Sequence, residues 1–205
     1  MIKQTFMEVL PDVWPMLIII TVIISSLRIA YLITKHKKFL LHKEIIYLLA
    51  IIYILCLFHV VTFQDINYGE SNFVPFKEIF RYSFGSRKFI RNVLGNIILF
   101  IPFGFLSSYL LKNRHLSVVT ILTLIASGTI ETVQYYIGRV FDIDDIILNL
   151  IGGIVGFLIF IGLDAIRNKV KLLKNDTVLD ILIIIILVLV MVYSLNINVF
   201  DVIGG

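Results

Sequence analysis

Charged residues are scarce in this chain of 205 residues, since Asp, Glu, Lys and Arg together make up only 16% of it. Soluble domains carry about 25%. Hydrophobic residues reach 59% and fall in long blocks, so the chain cannot furnish the polar surface of a water-soluble protein. We therefore predict an integral membrane protein, for which the bilayer core is the main solvent.

Cysteine is almost absent as well. The single cysteine, Cys56, excludes an intramolecular disulfide and lies in an apolar block, where it is expected to be a small buried hydrophobic residue. The net charge of +4 comes from basic residues between the hydrophobic blocks. That placement predicts membrane lipids, and not nucleic acid, as partners of the basic residues. We expect no cofactor and no resident metal ion.

Six segments have the length and apolar character of membrane-spanning helices, which need about 20 residues. The predicted fold class is all-α, a polytopic transmembrane helical bundle of about six spans, although five also fit. The predicted spans are 13–34, 44–63, 90–111, 116–137, 143–165 and 178–196. The predicted organisation is two N-terminal spans in 1–69, a core of three spans in 70–166, and a basic loop with the last span in 167–205.

Lysine and arginine set the predicted orientation. Ten of them lie in the first, third and fifth connections, and seven lie on the opposite side. Because cytoplasmic loops are enriched in positive charge, the count favours cytoplasmic first, third and fifth connections with both termini outside.

The second connection is the longest. Phe76, Ile79, Phe80 and Phe84 recur in it at helical spacing, among several basic residues. This pattern allows a short helix in the headgroup plane between spans 2 and 3, and it equally fits an ordinary amphipathic tether.

Polar residues within the spans are the most informative, because an ionisable group at the centre of a spanning helix costs about 2.5 to 3.5 kcal/mol. They are concentrated in the outer halves of spans 3, 4 and 5 and in the turn between spans 4 and 5, whereas the inner halves are expected to be almost wholly apolar. We predict a polar pocket open to the outer side and floored by hydrophobic and glycine packing. Its predicted binding residues are Arg91, Asn92, Asn96, Glu131, Gln134, Arg139, Asp142, Asp145 and Asn149.

A series of short motifs lies between about residues 70 and 160. They are Asn72 with Pro75-Phe76, then Asn92, Asn96, Phe100 and Pro102-Phe103-Gly104, then Glu131 with Gln134, and then Arg139, Asp142, Asp145, Asn149 and Gly152. In the order and spacing of these motifs the chain resembles the VanZ-like family. The resemblance implies a multi-pass protein of the bacterial cell membrane, in a family named for a member that gives low-level resistance to teicoplanin-type glycopeptides.

Three functions are compatible with these features, and the sequence favours the first. In that function the pocket binds or shields a lipid-linked cell-wall precursor or the lipoglycopeptide itself. The second is an enzyme acting on a lipid-linked substrate, with Glu131 and Asp145 as candidate catalytic residues, or with Asp142, Asp144 and Asp145 holding a divalent cation. The third is a lipid transporter or flippase. Alternatively, the polar groups serve only to lock the helices together.

Overall fold

A computed structural model describes the backbone of residues 2–63 and 71–194, with side chains for 14–60 and 71–190. The described residues form helices joined by short connections, and no strand occurs among them, which confirms the predicted all-α class. The helices are α1 (Ile2–Thr34), α2 (Leu41–Phe63), α3 (Lys77–Arg81), α4 (Arg87–Phe89), α5 (Gly95–Leu111), α6 (Leu116–Tyr136), α7 (Ile143–Lys169) and α8 (Asp176–Ser194). A π-helical turn, Ile90–Leu94, joins α4 to α5, and a 3-10 turn, Lys171–Lys174, precedes α8.

Five helical stretches of the described chain are long and apolar enough to cross a membrane. They are Trp14–Thr34, Leu41–Val60, Arg87–Leu111, Leu116–Tyr136 and Ile143–Lys169. They correspond to the first five predicted spans, which are thereby confirmed. The sixth predicted span coincides with α8, and its last two positions, 195 and 196, lie outside the described residues.

Contacts divide the chain into two compact units. The first comprises Met1–Leu17 and Ile52–Asp164, and the second comprises Ile18–Ile51 and Ala165–Gly205. All the predicted site residues belong to the first unit.

Glycines bring α5 and α7 close together in the first unit. A Cβ atom at Gly152 would lie 2.2 Å from the Ile97 carbonyl oxygen, and one at Gly156 would lie 2.0 Å from the Ile101 carbonyl oxygen. Only glycine fits at such backbone approaches, as the sequence predicts for these positions.

Leu57 of α2 and the fully buried Phe100 of α5 belong to one hydrophobic cluster in the core of the first unit. The Tyr53 hydroxyl donates to the Leu99 carbonyl oxygen at 2.9 Å, three residues before the proline inside α5, Pro102. A second helix therefore supports α5 beside the position where proline removes a backbone donor.

Polar contacts join helices within the second unit: an ion pair of Arg28 with Glu44, and hydrogen bonds between His42 and Asp180. Arg28 makes two hydrogen bonds to the Glu44 carboxylate, at 2.8 and 3.1 Å, and its guanidinium lies 4.6 Å from the Tyr47 ring centre. The buried His42 contacts Asp180 through its backbone N–H at 2.8 Å and its Nδ1 at 2.7 Å. These contacts join α1 to α2 and α2 to α8.

The second connection differs from an amphipathic helix running through Phe84. α3 has only five residues, because Tyr82 is extended and a turn with Gly85 at a φ of 77° follows. A short helix is present, as the sequence allows, but Phe84 lies outside it.

The expectation of almost wholly apolar inner halves is wrong. Thr123 of α6 and Ser108 of α5 lie in those halves, and both are fully buried. Ser108 donates to the Gly104 carbonyl oxygen at 2.7 Å, and Thr123 packs against Gly153. The helix backbone satisfies the Ser108 hydroxyl, whereas the Thr123 Oγ1 is buried without a hydrogen-bond partner in the described part of the chain.

Candidate functional site

Glu131 lies near the end of α6 and is only 1% exposed. The chain reverses just beyond it at Gly138, whose φ is 86°. The turn brings the Asp142 backbone N–H back to the Glu131 carboxylate, where it donates to Oε2 at 3.0 Å. The reversal therefore places Glu131 beside the first turn of α7.

Two amide side chains connect α7 to its neighbours. Asn96 of α5 donates to the carboxylate of Asp145. Asn149, one turn further along α7, donates through Nδ2 to Ser127 Oγ of α6 at 2.9 Å. Its other polar atom, Oδ1, is buried and has no hydrogen-bond partner in the described part of the chain. An unpaired buried acceptor is uncommon, and it marks a place where a ligand or water can donate.

These side chains surround a cavity of about 50 Å³. The lining residues are Val60, Asn96, Leu99, Phe100, Ile130, Glu131, Gln134, Arg139, Asp145 and Asn149. A buried water needs about 10 to 15 Å³ by this measure of volume, so the cavity holds a few waters or one small polar group. It cannot enclose a lipid chain or a whole glycopeptide.

Asp142 forms part of the wall behind Glu131. Its Oδ1 accepts from Asn72 Nδ2 at 2.9 Å and from the Asp144 backbone N–H at 2.9 Å, so Asp142 caps the start of α7. Asn72 also pairs with this turn through its backbone, donating to the Phe141 carbonyl oxygen at 2.8 Å. Burial raises the pKa of the Asp142 carboxyl, although the hydrogen bonds from Asn72 and Asp144 act in the opposite direction.

Asp144 binds the segment at the start of α3 and not the cavity residues. Its carboxylate is only 1% exposed and accepts from the backbone N–H groups of Phe76, Glu78 and Ile79. It therefore satisfies the free donors at the start of α3 from a distant part of the sequence. Because Asp142 and Asp144 both bind N–H groups of the protein, the divalent-cation site considered for this turn is not formed. Among the described residues, no cluster of His, Cys, Asp and Glu is arranged to hold a metal ion.

The structure brings most of the predicted binding residues together. Six of them line the cavity: Asn96, Glu131, Gln134, Arg139, Asp145 and Asn149. Asp142 reaches the site through its backbone N–H. Arg91 and Asn92 do not line it, since Asn92 lies one turn nearer the helix start and donates to the Tyr82 hydroxyl at 2.9 Å, and Arg91 is exposed.

Three residues that shape the site were not among the predicted binding residues. Ser127 lies four residues before Glu131, so helical spacing alone could have placed it on the same face. Asp144 lies within the acidic turn, but the residues that it binds, Phe76, Glu78 and Ile79, are more than 60 positions away in the sequence. Asn72 pairs with residues 70 positions further along the chain, and no local pattern signals such a contact.

A family model described as VanZ/LLP1 matches residues 44–167. No curated protein and no solved structure gives a significant match. The matched region contains every residue that lines the cavity, together with Asn72, Asp142 and Asp144. The chain therefore belongs to the VanZ/LLP1 family and is a VanZ-like membrane protein with several spanning helices.

Proposed function

We propose that this protein acts in the bacterial cell membrane and contributes to resistance against teicoplanin-type glycopeptides. In this proposal its cavity opens toward the outer side and binds a polar group of a lipid-linked envelope component or of the lipoglycopeptide. Binding lowers the access of the drug to its target. The observation that carries the proposal is the convergence of Glu131, Asp145, Arg139 and the unpaired Asn149 oxygen on one small cavity.

The lining groups define what the cavity would accept. The carboxylates and the Asn149 oxygen suit a hydroxyl or ammonium donor, and the Arg139 guanidinium suits an anionic oxygen. A volume of about 50 Å³ restricts the bound part to one functional group of the ligand. The rest of a lipid-linked precursor or drug would remain in the membrane or in solution.

Binding of a fluorescent lipoglycopeptide to cells tests the proposal. Cells would express the wild-type protein, Glu131→Gln, or the matched control Asp164→Asn, whose carboxylate pairs with Arg114 away from the cavity. We expect the wild-type protein and Asp164→Asn to lower surface binding of the drug and raise its inhibitory concentration. Glu131→Gln should lose most of both effects at equal abundance in the membrane. Equal drug binding by the wild-type protein and Glu131→Gln would contradict the proposal.

A second candidate function is catalysis on a lipid-linked substrate. It is favoured by the presence of two carboxylates, Glu131 and Asp145, on the same cavity, an arrangement that can supply general acid and base groups. Mass spectrometry of envelope lipids separates the two functions. An enzyme changes the mass of a lipid species in a manner that depends on both carboxylates, whereas a binding protein leaves the lipid profile unaltered.

A further inference from the structure

The segment between α2 and α5 presents phenylalanine side chains to its surroundings. Phe80 is 83% exposed and Phe84 is 91% exposed, while Phe76 contacts Phe80 with a ring separation of 6.3 Å. Large apolar side chains clustered at a surface are typical of an interaction site with protein or membrane.

Hydrogen bonds hold this segment in place. Asp144 accepts three of its backbone N–H groups, and the Tyr82 hydroxyl accepts from Asn92. The ring of Phe73 stacks on that of Phe141 at 5.2 Å. Several contacts therefore fix the backbone of the segment to which the exposed rings of Phe80 and Phe84 belong.

Positive charge accompanies the exposed rings. Residues 71–91 contain five basic residues and one carboxylate, that of Glu78, which pairs with Arg81 at 3.1 Å. The other four basic side chains are exposed, and none has a described carboxylate within 4.0 Å. They are Lys77, Arg87, Lys88 and Arg91. We call these four residues, with Phe76, Phe80 and Phe84, the basic aromatic platform.

The position of the platform between two candidate spans indicates that it lies at the membrane surface. It follows the candidate span Leu41–Val60, and its last basic residues belong to the first turns of the span Arg87–Leu111. It therefore lies where a spanning helix enters the membrane surface. At that depth aromatic rings reach the acyl boundary and basic side chains reach the phosphates.

We propose that the basic aromatic platform binds the headgroups of anionic phospholipids. Lys77, Arg87, Lys88 and Arg91 contact the phosphates, and the rings of Phe80 and Phe84 insert among the upper acyl carbons. Charge complementarity identifies the partner, because four exposed cations with no carboxylate of the described residues within 4.0 Å match a surface of negative headgroups. The inference does not rest on the proposed function, since none of these residues lines the cavity.

Quenching by brominated lipids tests the platform locally. The full-length protein with Trp14→Phe and Phe84→Trp carries one tryptophan at the platform, and it is reconstituted in phosphatidylcholine with increasing brominated phosphatidylglycerol. We expect brominated lipid to quench this tryptophan, with phosphatidylglycerol preferred over phosphatidylcholine. Removal of each cation should weaken the preference by about fivefold. The triple variant R87Q/K88Q/R91Q should therefore keep only the preference of about fivefold that Lys77 supports.

The matched control removes three cations from a different connection, in K35Q/K37Q/K38Q, and should retain the preference. Brominated phosphatidylcholine should still quench the tryptophan in R87Q/K88Q/R91Q, which shows that the ring remains inserted. Inorganic phosphate should not compete. An unchanged preference in R87Q/K88Q/R91Q, absence of quenching in the parent, or competition by inorganic phosphate would each overturn the inference. Glu131→Gln should leave the preference intact, so a failed cavity function is distinguishable from a failed platform.

Discussion

The two neighbouring carboxylates Asp142 and Asp144 show how a single residue can organise a distant segment. Asp144 uses both oxygens, one for the N–H of Phe76 and the other for those of Glu78 and Ile79. Asp142 uses only Oδ1 as an acceptor, for Asn72 and the Asp144 backbone. Asparagine can replace the acceptors of Asp142 but not those of Asp144.

We predict that Asp144→Asn loosens residues 76–81, because its NH₂ group faces N–H donors and leaves buried donors unpaired at about 1 to 3 kcal/mol each. Hydrogen exchange at these amides should accelerate by about fivefold to a hundredfold, since 1.4 kcal/mol corresponds to a factor of 10.

Asp142→Asn is the matched control and should leave this exchange unchanged. Burial raises the pKa of Asp142, so its charge is less favourable in the folded protein than in the unfolded chain. Removal of the charge should therefore not destabilise the protein near neutral pH, and any gain should disappear as the pH falls through the pKa of Asp142. Equal acceleration in both variants would contradict the role assigned to Asp144.

Sequence reasoning picked out six residues that line the cavity, but it did not identify the residues that bind them from behind. Ionisable groups within a membrane have a high free-energy cost, so Glu131 and Asp145 can be recognised as site candidates without knowledge of the fold. The predicted set of binding residues extends too far toward the helix start. Arg91 and Asn92 share this polar stretch with Asn96 but do not line the cavity. Contacts such as Asn72 with Asp142 depend on the path of the chain between spans, which hydropathy does not encode.

At the scale of the helices, the glycine contact between α5 and α7 brings their backbones together along the same pair of helices that carries the hydrogen bond from Asn96 to Asp145. We predict that Gly156→Ala destabilises the protein by about 1 to 3 kcal/mol, because its Cβ would overlap the Ile101 carbonyl oxygen and force the helices apart. Thermal unfolding in detergent measures this as a lower transition temperature.

Gly162→Ala is the matched control in the same helix, because no atom lies within 4 Å of its added Cβ. Alanine is also the better helix former, so this variant should be neutral or slightly more stable. Similar losses at both positions would show that helix propensity, and not the contact with α5, accounts for the effect.

The helices were the most predictable part of the fold, since long apolar runs leave few alternatives in a bilayer. The short connection helix was less predictable. The spacing from Phe76 to Phe84 suggests continued helix, but the helix ends at Arg81 because Tyr82 is extended. The hydroxyls of Thr123 and Ser108 were also overlooked, because single serine and threonine residues barely alter the mean hydropathy of a span.

For the molecule as a whole, the orientation in the membrane decides where the cavity and the platform meet their ligands. The excess of basic residues in the first, third and fifth connections predicts that the second connection lies outside. In a Cys56→Ser background, Ser83→Cys should react with a membrane-impermeant maleimide in intact cells. Lys37→Cys should react only after permeabilisation. The reverse pattern would contradict this orientation and would place the basic aromatic platform in the cytoplasm.

The polar contacts that join helices within the second compact unit involve residues on both sides of the limits of the family match. Glu44 is the first matched residue, but its partner Arg28 precedes the match, and His42 and Asp180 flank the match on either side. A fragment cut at residues 44–167 would keep Glu44 without its cation and discard the histidine that ties α2 to the last helix. The contacts between the helices of the second unit thus extend beyond the residues that the family match covers.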